Sequence, residues 1–474
     1  MTLADFKTTI QRAARDGSLQ AGVIGDGVMI PGLNGDVPLV YADYVASGRA
    51  LQQIEEFVTA QVLPFYANSH TEASYCGSYV TRMRRQARAE IARITGATQD
   101  DTVIFAGSGA TAGLNRLVSL LGIEEADNPV VFIGPYEHHS NILPWRESKA
   151  KVVEIPENAD GGVDIHALQQ ALLEHAGSDL KIGSFSAASN VTGILTDPDP
   201  ISRMLHAHDA LAVWDYAGGA PYLPIDMGGN GAARKDAVVV SPHKFPGGPG
   251  SSGVLIVNQK AVRRRCPSWP GGGTVSFVSP WSHEYSDDLA AREEAGTPNV
   301  VGDIRAALVF LVKEAVGQAE IEAKEEHFAD MARKGWGDNP HLTLLGSPTA
   351  ARLPIFSFLV TGASGAPVHQ QLFTRMLSDI YGIQARGGCA CAGPYAHRLL
   401  EIDQDASDEL FADLKAGKEM RKPGWVRLNF SYLMSDETAQ YIINSVNELS
   451  LNAEEMADQY SVDQSTARFK ALVA

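Results

Sequence analysis

Cysteine is scarce: the 474 residues hold four, and Cys389 and Cys391 stand one residue apart. That leaves no disulfide framework, and a reducing, cytoplasmic setting is expected. Long apolar runs are missing too. No stretch approaches the roughly 18 consecutive apolar residues a membrane helix requires. The start, MTLADFKTTIQRAARDG, mixes acids with its bases and has no apolar core, so neither a secretory signal nor a transit peptide is expected. A surplus of basic residues is also absent. With a formal net charge of -17 the chain would repel a phosphate backbone, and nucleic acid is excluded as an expected partner. Two nucleotide signatures fail as well. In Gly107-Ser108-Gly109-Ala110-Thr111-Ala112-Gly113 the third glycine falls one place late for G-x-G-x-x-G, and no G-K-[S/T] follows.

What is present is a globular balance, 45% hydrophobic and 20% charged, in a chain long enough for two or three domains. From about residue 100 to 258, short apolar runs alternate with helical stretches, the pattern of a mostly parallel α/β sheet with helices on both faces. The runs start at Thr102, Val130, Lys151, Lys181, Ala210, Asp236 and Gly253. Several lack polar alternation, as strands buried on both faces do. Residues 300–328 read as one long helix. Strands from Arg352 to Val360 and from Trp425 to Leu433, with a helix from Val368 to Tyr381 between them, predict a smaller α+β domain. The expected organisation is an N-terminal segment, 1–40, packing on the small domain, a large domain at 41–300 and the small domain at 301–474. The charged stretch from Asp403 to Lys422 reads as a solvated helix and loop.

Ligands of open parallel sheets bind beyond the carboxyl ends of the strands. After the first run, Gly107 to Gly113 open an expected helix whose free N–H groups suit a phosphate; a plain tight turn reads the same. After the second come His138 and His139, a pair that is often structural. The fifth run ends on Asp215, which can protonate a pyridine nitrogen or simply cap a turn. After the sixth, Ser241-Pro242-His243 precede Lys244, whose amine can capture an aldehyde or merely be solvated. Phosphate cradle, aspartate and lysine, in that order at strand ends, together point to pyridoxal phosphate.

These residues carry a resemblance to the class V aminotransferases of fold type I, and within them to the cysteine desulfurases, from about Tyr41 to Leu433. The resemblance implies that Ala110, Thr111, Ser241 and His243 hold the phosphate and that His138 lies over the ring. It implies that Asn190 meets cofactor or substrate, that Asp215 pairs with the ring nitrogen and that Lys244 forms the Schiff base. Glu294-Ala295-Gly296-Thr297-Pro298-Asn299 resembles the segment that reaches the neighbouring subunit's phosphate, which implies a homodimer with Thr297 shared. Arg386-Gly387-Gly388-Cys389-Ala390-Cys391 resembles the desulfurase loop, with Arg386 near the substrate and Cys391 as nucleophile. Arg427 stands where relatives grip the substrate carboxylate. Two features depart from the pattern. Gly218 replaces the usual glutamine after Asp215, and residues 402–424 form an insertion that could cover the site. In these features and in Gly-Cys-x-Cys the chain leans toward the molybdenum-cofactor sulfurases.

The implied reaction converts L-cysteine to L-alanine, with a persulfide left on Cys391 for a thiol or acceptor protein. One alternative is another enzyme of the class, a C–S lyase, selenocysteine lyase or epimerase in which Cys391 is not the nucleophile. A second is a zinc-binding module using the cysteine and histidine pairs. No metal is expected under the first two.

Overall fold

The computed structural model describes residues 2–69 and 72–472. Each of the seven apolar runs is a strand: β1 (Asp101–Gly107), β2 (Pro129–Ile133), β3 (Lys151–Glu154), β4 (Leu180–Ser186), β5 (Leu211–Asp215), β6 (Ala237–Val240) and β7 (Gly253–Asn258). They form one sheet in the order β1-β7-β6-β5-β4-β2-β3. Only β7 runs antiparallel to its neighbours, β1 and β6. Strands β2, β4, β6 and β7 are buried at every residue, which is why their sequences show no polar alternation. The parallel register sets Ser186 beside Asp215 and Asp215 beside Val239, so the ends of β4, β5 and β6 meet at one edge. Leu114, Leu117 and Leu120 of helix Gly109–Leu120 join Ile104, Val239 and Leu255 of the sheet in one buried cluster.

The chain forms two compact units, and they depart from the boundaries drawn at residues 40 and 300. The first unit holds the chain up to Ile24, Ser47–Ala188 and Thr196–Ala319; the second holds Gly25–Ala46, Ser189–Leu195 and the chain from Glu320 on. The N-terminal segment is therefore split. Helix Leu3–Arg15 buries Leu3, Phe6 and Ile10 within the first unit, with Phe6 5.1 Å from Phe57 and Lys7 paired to Glu314 at 2.9 Å. Only residues 25–46 join the second unit, where strand Val40–Tyr41 pairs with Ile383–Gln384. The long helix expected at 300–328 is two, Val300–Val316 and Gln318–Trp336. Gly317 divides them with φ +90°, a value a helix interior cannot hold.

The second unit is built on an antiparallel sheet: β8 (Leu342–Leu344), β9 (Ile355–Thr361), β10 (Arg386–Gly388) and β11 (Trp425–Asn429), in the order β8-β9-β11-β10. Its core gathers Trp336, Phe356, Phe358 and Phe430. Helix Gln404–Lys415, in the charged stretch, buries no residue. Among the described residues no helix is long and apolar enough to cross a membrane.

Candidate active site

In the first unit, the sheet edge decides which side chains meet. β6 passes through Ser241 into the 3-10 turn Pro242–Lys244, and the buried Phe245 anchors its exit. Across from it, β1 leads into helix Gly109–Leu120. Gly109 has φ +61°, and a Cβ there would lie 2.9 Å from Ser241 Oγ and 3.0 Å from His243 Cε1. Glycine is what lets the helix start so close. The Ala110 N–H donates to Ser241 Oγ at 2.9 Å, and Thr111 Oγ1 meets Ser140 Oγ at 2.6 Å. His138 Nδ1 accepts the Ser140 N–H at 3.0 Å. Ala110, Thr111, Ser241 and His243 thus gather at one helix N-terminus, where N–H groups and dipole favour an anion. Burial, helped by the Lys244 charge, pushes the His243 imidazole down to about 4. It is a neutral ring at pH 7.

Asp215 closes β5 almost fully buried, its Oδ1 accepting the Ala217 N–H at 2.7 Å. Burial raises its carboxyl, while the Ala217 N–H and the Lys244 charge pull it back. Acid and amine therefore act on one another, and a cationic ring nitrogen would offset the cost of burying Asp215. Gly218 is buried and offers no side chain. Sequence reasoning missed Glu137. It is 2% exposed and accepts from Ser186 N–H at 2.9 Å, Ser186 Oγ at 2.6 Å and Asn141 Nδ2 at 2.6 Å. Burial pushes Glu137 up to about 7, and the Asp215 charge adds to this. Because Ser186 is the sheet neighbour of Asp215, Glu137 fixes the backbone beside it. The signal was its place directly before the histidine pair.

Thr297 is exposed, on a segment whose base is tied down by charge. Glu294 pairs with Arg84 at 2.6 Å and Arg88 at 2.8 Å and accepts the Phe105 N–H at 2.8 Å. Arg84 also pairs with Asp303 at 2.6 Å. Burial alone would raise Glu294, but the two arginines outweigh it and hold the carboxyl below its usual range.

The second unit carries the remaining candidates. Gly388, at φ +121°, leads from β10 into Cys389-Ala390-Cys391, and Ala390 and Cys391 take φ +52° and +57°. Two consecutive left-handed residues with a Cβ are strained, by about 1–2 kcal/mol each. Two hydrogen bonds hold the turn: Ala392 N–H to Cys389 O at 3.1 Å, and Asn190 Nδ2 to Ala390 O at 2.9 Å. Cys391 is exposed and Cys389 half-buried. Arg427 on β11 is 3% exposed, donating to Asn190 O at 2.9 Å and to Asp43 Oδ1 at 2.7 Å. Arg386, directly opposite it across the β10–β11 pair, donates to Asp43 Oδ2 at 3.0 Å. Burial lowers Arg427, the Asp43 carboxylate opposes this, and weaker effects come from Arg386 and Cys391. Asn190, Arg386, Arg427 and the cysteine turn are thus one connected group. Asp43, also missed in the sequence, lies at its centre.

The first unit's residues fit pyridoxal phosphate: an anion-binding helix start, a buried carboxylate for the ring nitrogen and an amine that feels that carboxylate. Among the described residues no group of three or more His, Cys, Asp or Glu could hold a metal ion. Comparison with known proteins points the same way. The chain is 29% identical over 366 residues to a probable cysteine desulfurase of Halalkalibacterium halodurans, covering 75% of this chain and 85% of that one. It is 28% identical over 369 residues to a cysteine desulfurase of Escherichia coli, covering 76% and 85%. In three dimensions it resembles a cysteine desulfurase from Thermococcus onnurineus, with TM-score 0.73, 23% identity and coverage of 87% of this chain and 94% of that one. It also resembles the Escherichia coli desulfurase CsdA, with TM-score 0.70, 22% identity and coverage of 93% and 98%. The fold is therefore that of the fold type I pyridoxal-phosphate enzymes. Since the family model for aminotransferase class-V matches residues 40–434, a span that takes in Asp43, every cradle residue, the cysteine turn and Arg427, the chain belongs to that family.

Proposed function

We propose that this chain is a pyridoxal-phosphate-dependent cysteine desulfurase, converting L-cysteine to L-alanine and leaving the sulfur on Cys391 as a persulfide. The observation that carries the reading is the Cys391 turn, an exposed thiol in left-handed backbone, in a chain that also couples a buried Asp215 to Lys244. When bound, pyridoxal phosphate supplies an aldehyde that captures the substrate amine and a ring that draws electrons from its Cα. Lys244 holds the cofactor and takes the Cα proton. Asp215 would keep the ring nitrogen protonated, and His138 would pack against the ring. Ala110, Thr111, Ser241 and the neutral His243 hold the phosphate. Arg427 receives the substrate carboxylate, with Arg386 and Asn190 beside it.

Cys391 thiolate attacks the substrate sulfur, the carbon–sulfur bond breaks, and a proton replaces sulfur to give alanine. A thiol or an acceptor protein then collects the sulfur. Thr297, exposed on its braced segment, completes the phosphate site of a second copy, so the working form is a homodimer. A reducing cytoplasm keeps the thiols free.

The test is to load the protein with cofactor, add L-cysteine and follow alanine and persulfide by mass spectrometry. Cys391→Ser should keep the cofactor absorbance and form no persulfide, and Cys389→Ser should retain most activity. Persulfide on Cys389 would move the nucleophile's role to that residue, and sulfide release undiminished in Cys391→Ser would instead assign the chain to the lyases of its family.

A further inference from the structure

Arg386 and Arg427 face each other directly across an antiparallel strand pair, a position in which like charges repel. Asp43 answers that repulsion. One carboxylate oxygen takes Arg427 Nη2 at 2.7 Å and the other takes Arg386 Nε at 3.0 Å. Asp43 is itself fixed from both sides: the Val45 N–H donates to Asn429 Oδ1 at 3.0 Å, and Ala42 O accepts the Asn429 N–H at 2.8 Å. The cluster of two guanidiniums and one carboxylate carries a single surplus positive charge. It also holds a donor in want of an acceptor, since Arg427 Nε is buried with no hydrogen-bond partner. A buried N–H of that kind is costly until something accepts from it.

We infer that Asp43 is a specificity-determining residue of the amino-acid site: sharing its carboxylate between Arg386 and Arg427 leaves one charge for one substrate carboxylate. Amino acids with a single negative charge are then accepted and those with a second carboxylate are rejected. This rests on the reading of Arg427 as the residue that receives the substrate carboxylate. Without Asp43 the pair would carry two surplus charges, and a second carboxylate would be welcomed rather than repelled. Arg427 would also lose one of the two acceptors that hold its guanidinium in place.

The experiment uses the cofactor-loaded protein and reads binding from the cofactor absorbance while L-alanine or L-aspartate is titrated in. Neither ligand carries sulfur, so the readout is independent of desulfuration. Wild type should bind alanine more tightly than aspartate. Asp43→Asn should shift that preference at least tenfold toward aspartate. The double variant Asp43→Asn/Arg386→Gln, which restores one surplus charge, should bring the preference back, a recovery that mere structural damage would not produce. Should Asp43→Asn not fold, Arg386→Gln alone, at a half-exposed side chain, lowers the surplus to zero and should move the preference at least tenfold away from aspartate. A preference unchanged within twofold in the variants that fold, or a wild type that favours aspartate, overturns the inference. A wild type that binds alanine but makes none from L-cysteine sinks the desulfurase reading and leaves the Asp43 result legible.

Discussion

The two groups of candidate residues are held in different ways. In the first unit Asp215, Ser241 and Glu137 lie at or beside the ends of buried strands, and each accepts hydrogen bonds from neighbouring backbone or side chains. In the second, the Cys391 turn sits in strained backbone and hangs on the Asn190 side chain and one turn hydrogen bond. The contrast follows from the chemistry proposed for each. A resident cofactor demands groups that do not move, because misplacement of a reacting group by about 1 Å can cost about 100-fold in rate. A nucleophile that must receive sulfur and pass it on needs a tether that can give.

The harshest test of that contrast is Lys244→Ala, which removes the amine from the rigid group. Turnover should fall by about 10²–10⁴-fold or more, the usual contribution of a positioned base, and the bound chromophore should be lost or loosely held. A variant that keeps a borohydride-reducible cofactor linkage would show that Lys244 is not the anchor. Next in size is Glu294→Gln, which leaves Arg84 and Arg88 without their shared carboxylate. Breaking a buried pair costs about 3–5 kcal/mol, so thermal unfolding should shift sharply downward. An unchanged melting curve would mean that the braced base of the Thr297 segment is incidental.

On the looser side, Asn190→Ala removes the Nδ2 donor from Ala390 O. Loss of one hydrogen bond, worth about 1 kcal/mol, should slow persulfide formation several-fold while cofactor absorbance stays as it was. Equal damage to both would erase the distinction between rigid cradle and yielding turn.

The core of the second unit offers a test that depends on pH. Glu325 is buried on helix Gln318–Trp336 with neither carboxyl oxygen hydrogen-bonded, and burial raises its carboxyl well above the ordinary glutamate value of 4.5. Folded protein keeps this acid neutral while the unfolded chain ionises it. Stability from this group is therefore complete below pH 4.5 and declines as pH rises above it. Glu325→Gln should match wild type at pH ~3.5 and be more stable at pH ~8, by at most about 1.4 kcal/mol per pH unit above 4.5. A gap that does not widen with pH would refute the neutral carboxyl.

Much of this is legible in the amino-acid sequence. Strands β1 to β7 are readable because burial on both faces forces continuous apolar runs, and the chemistry-bearing residues follow those runs directly. The split of the N-terminal segment is not, since an amphipathic helix announces that it will be buried without saying against what. The break at Gly317 is equally hidden, because one glycine in a helical pattern is tolerated unless its φ turns positive.

By itself the sequence determined the sheet, the family motifs and the order of Ser241, His243 and Lys244, since these depend on local pattern and adjacency. Only the tertiary structure decided that Glu137 braces the neighbour of Asp215 and that Asp43 stands between Arg386 and Arg427. Asp43 lies 384 positions from Arg427, and a carboxylate that far along the chain has no local signature of the charge it will meet. Burial, register and the sharing of one carboxylate by two guanidiniums arise only when distant strands pair.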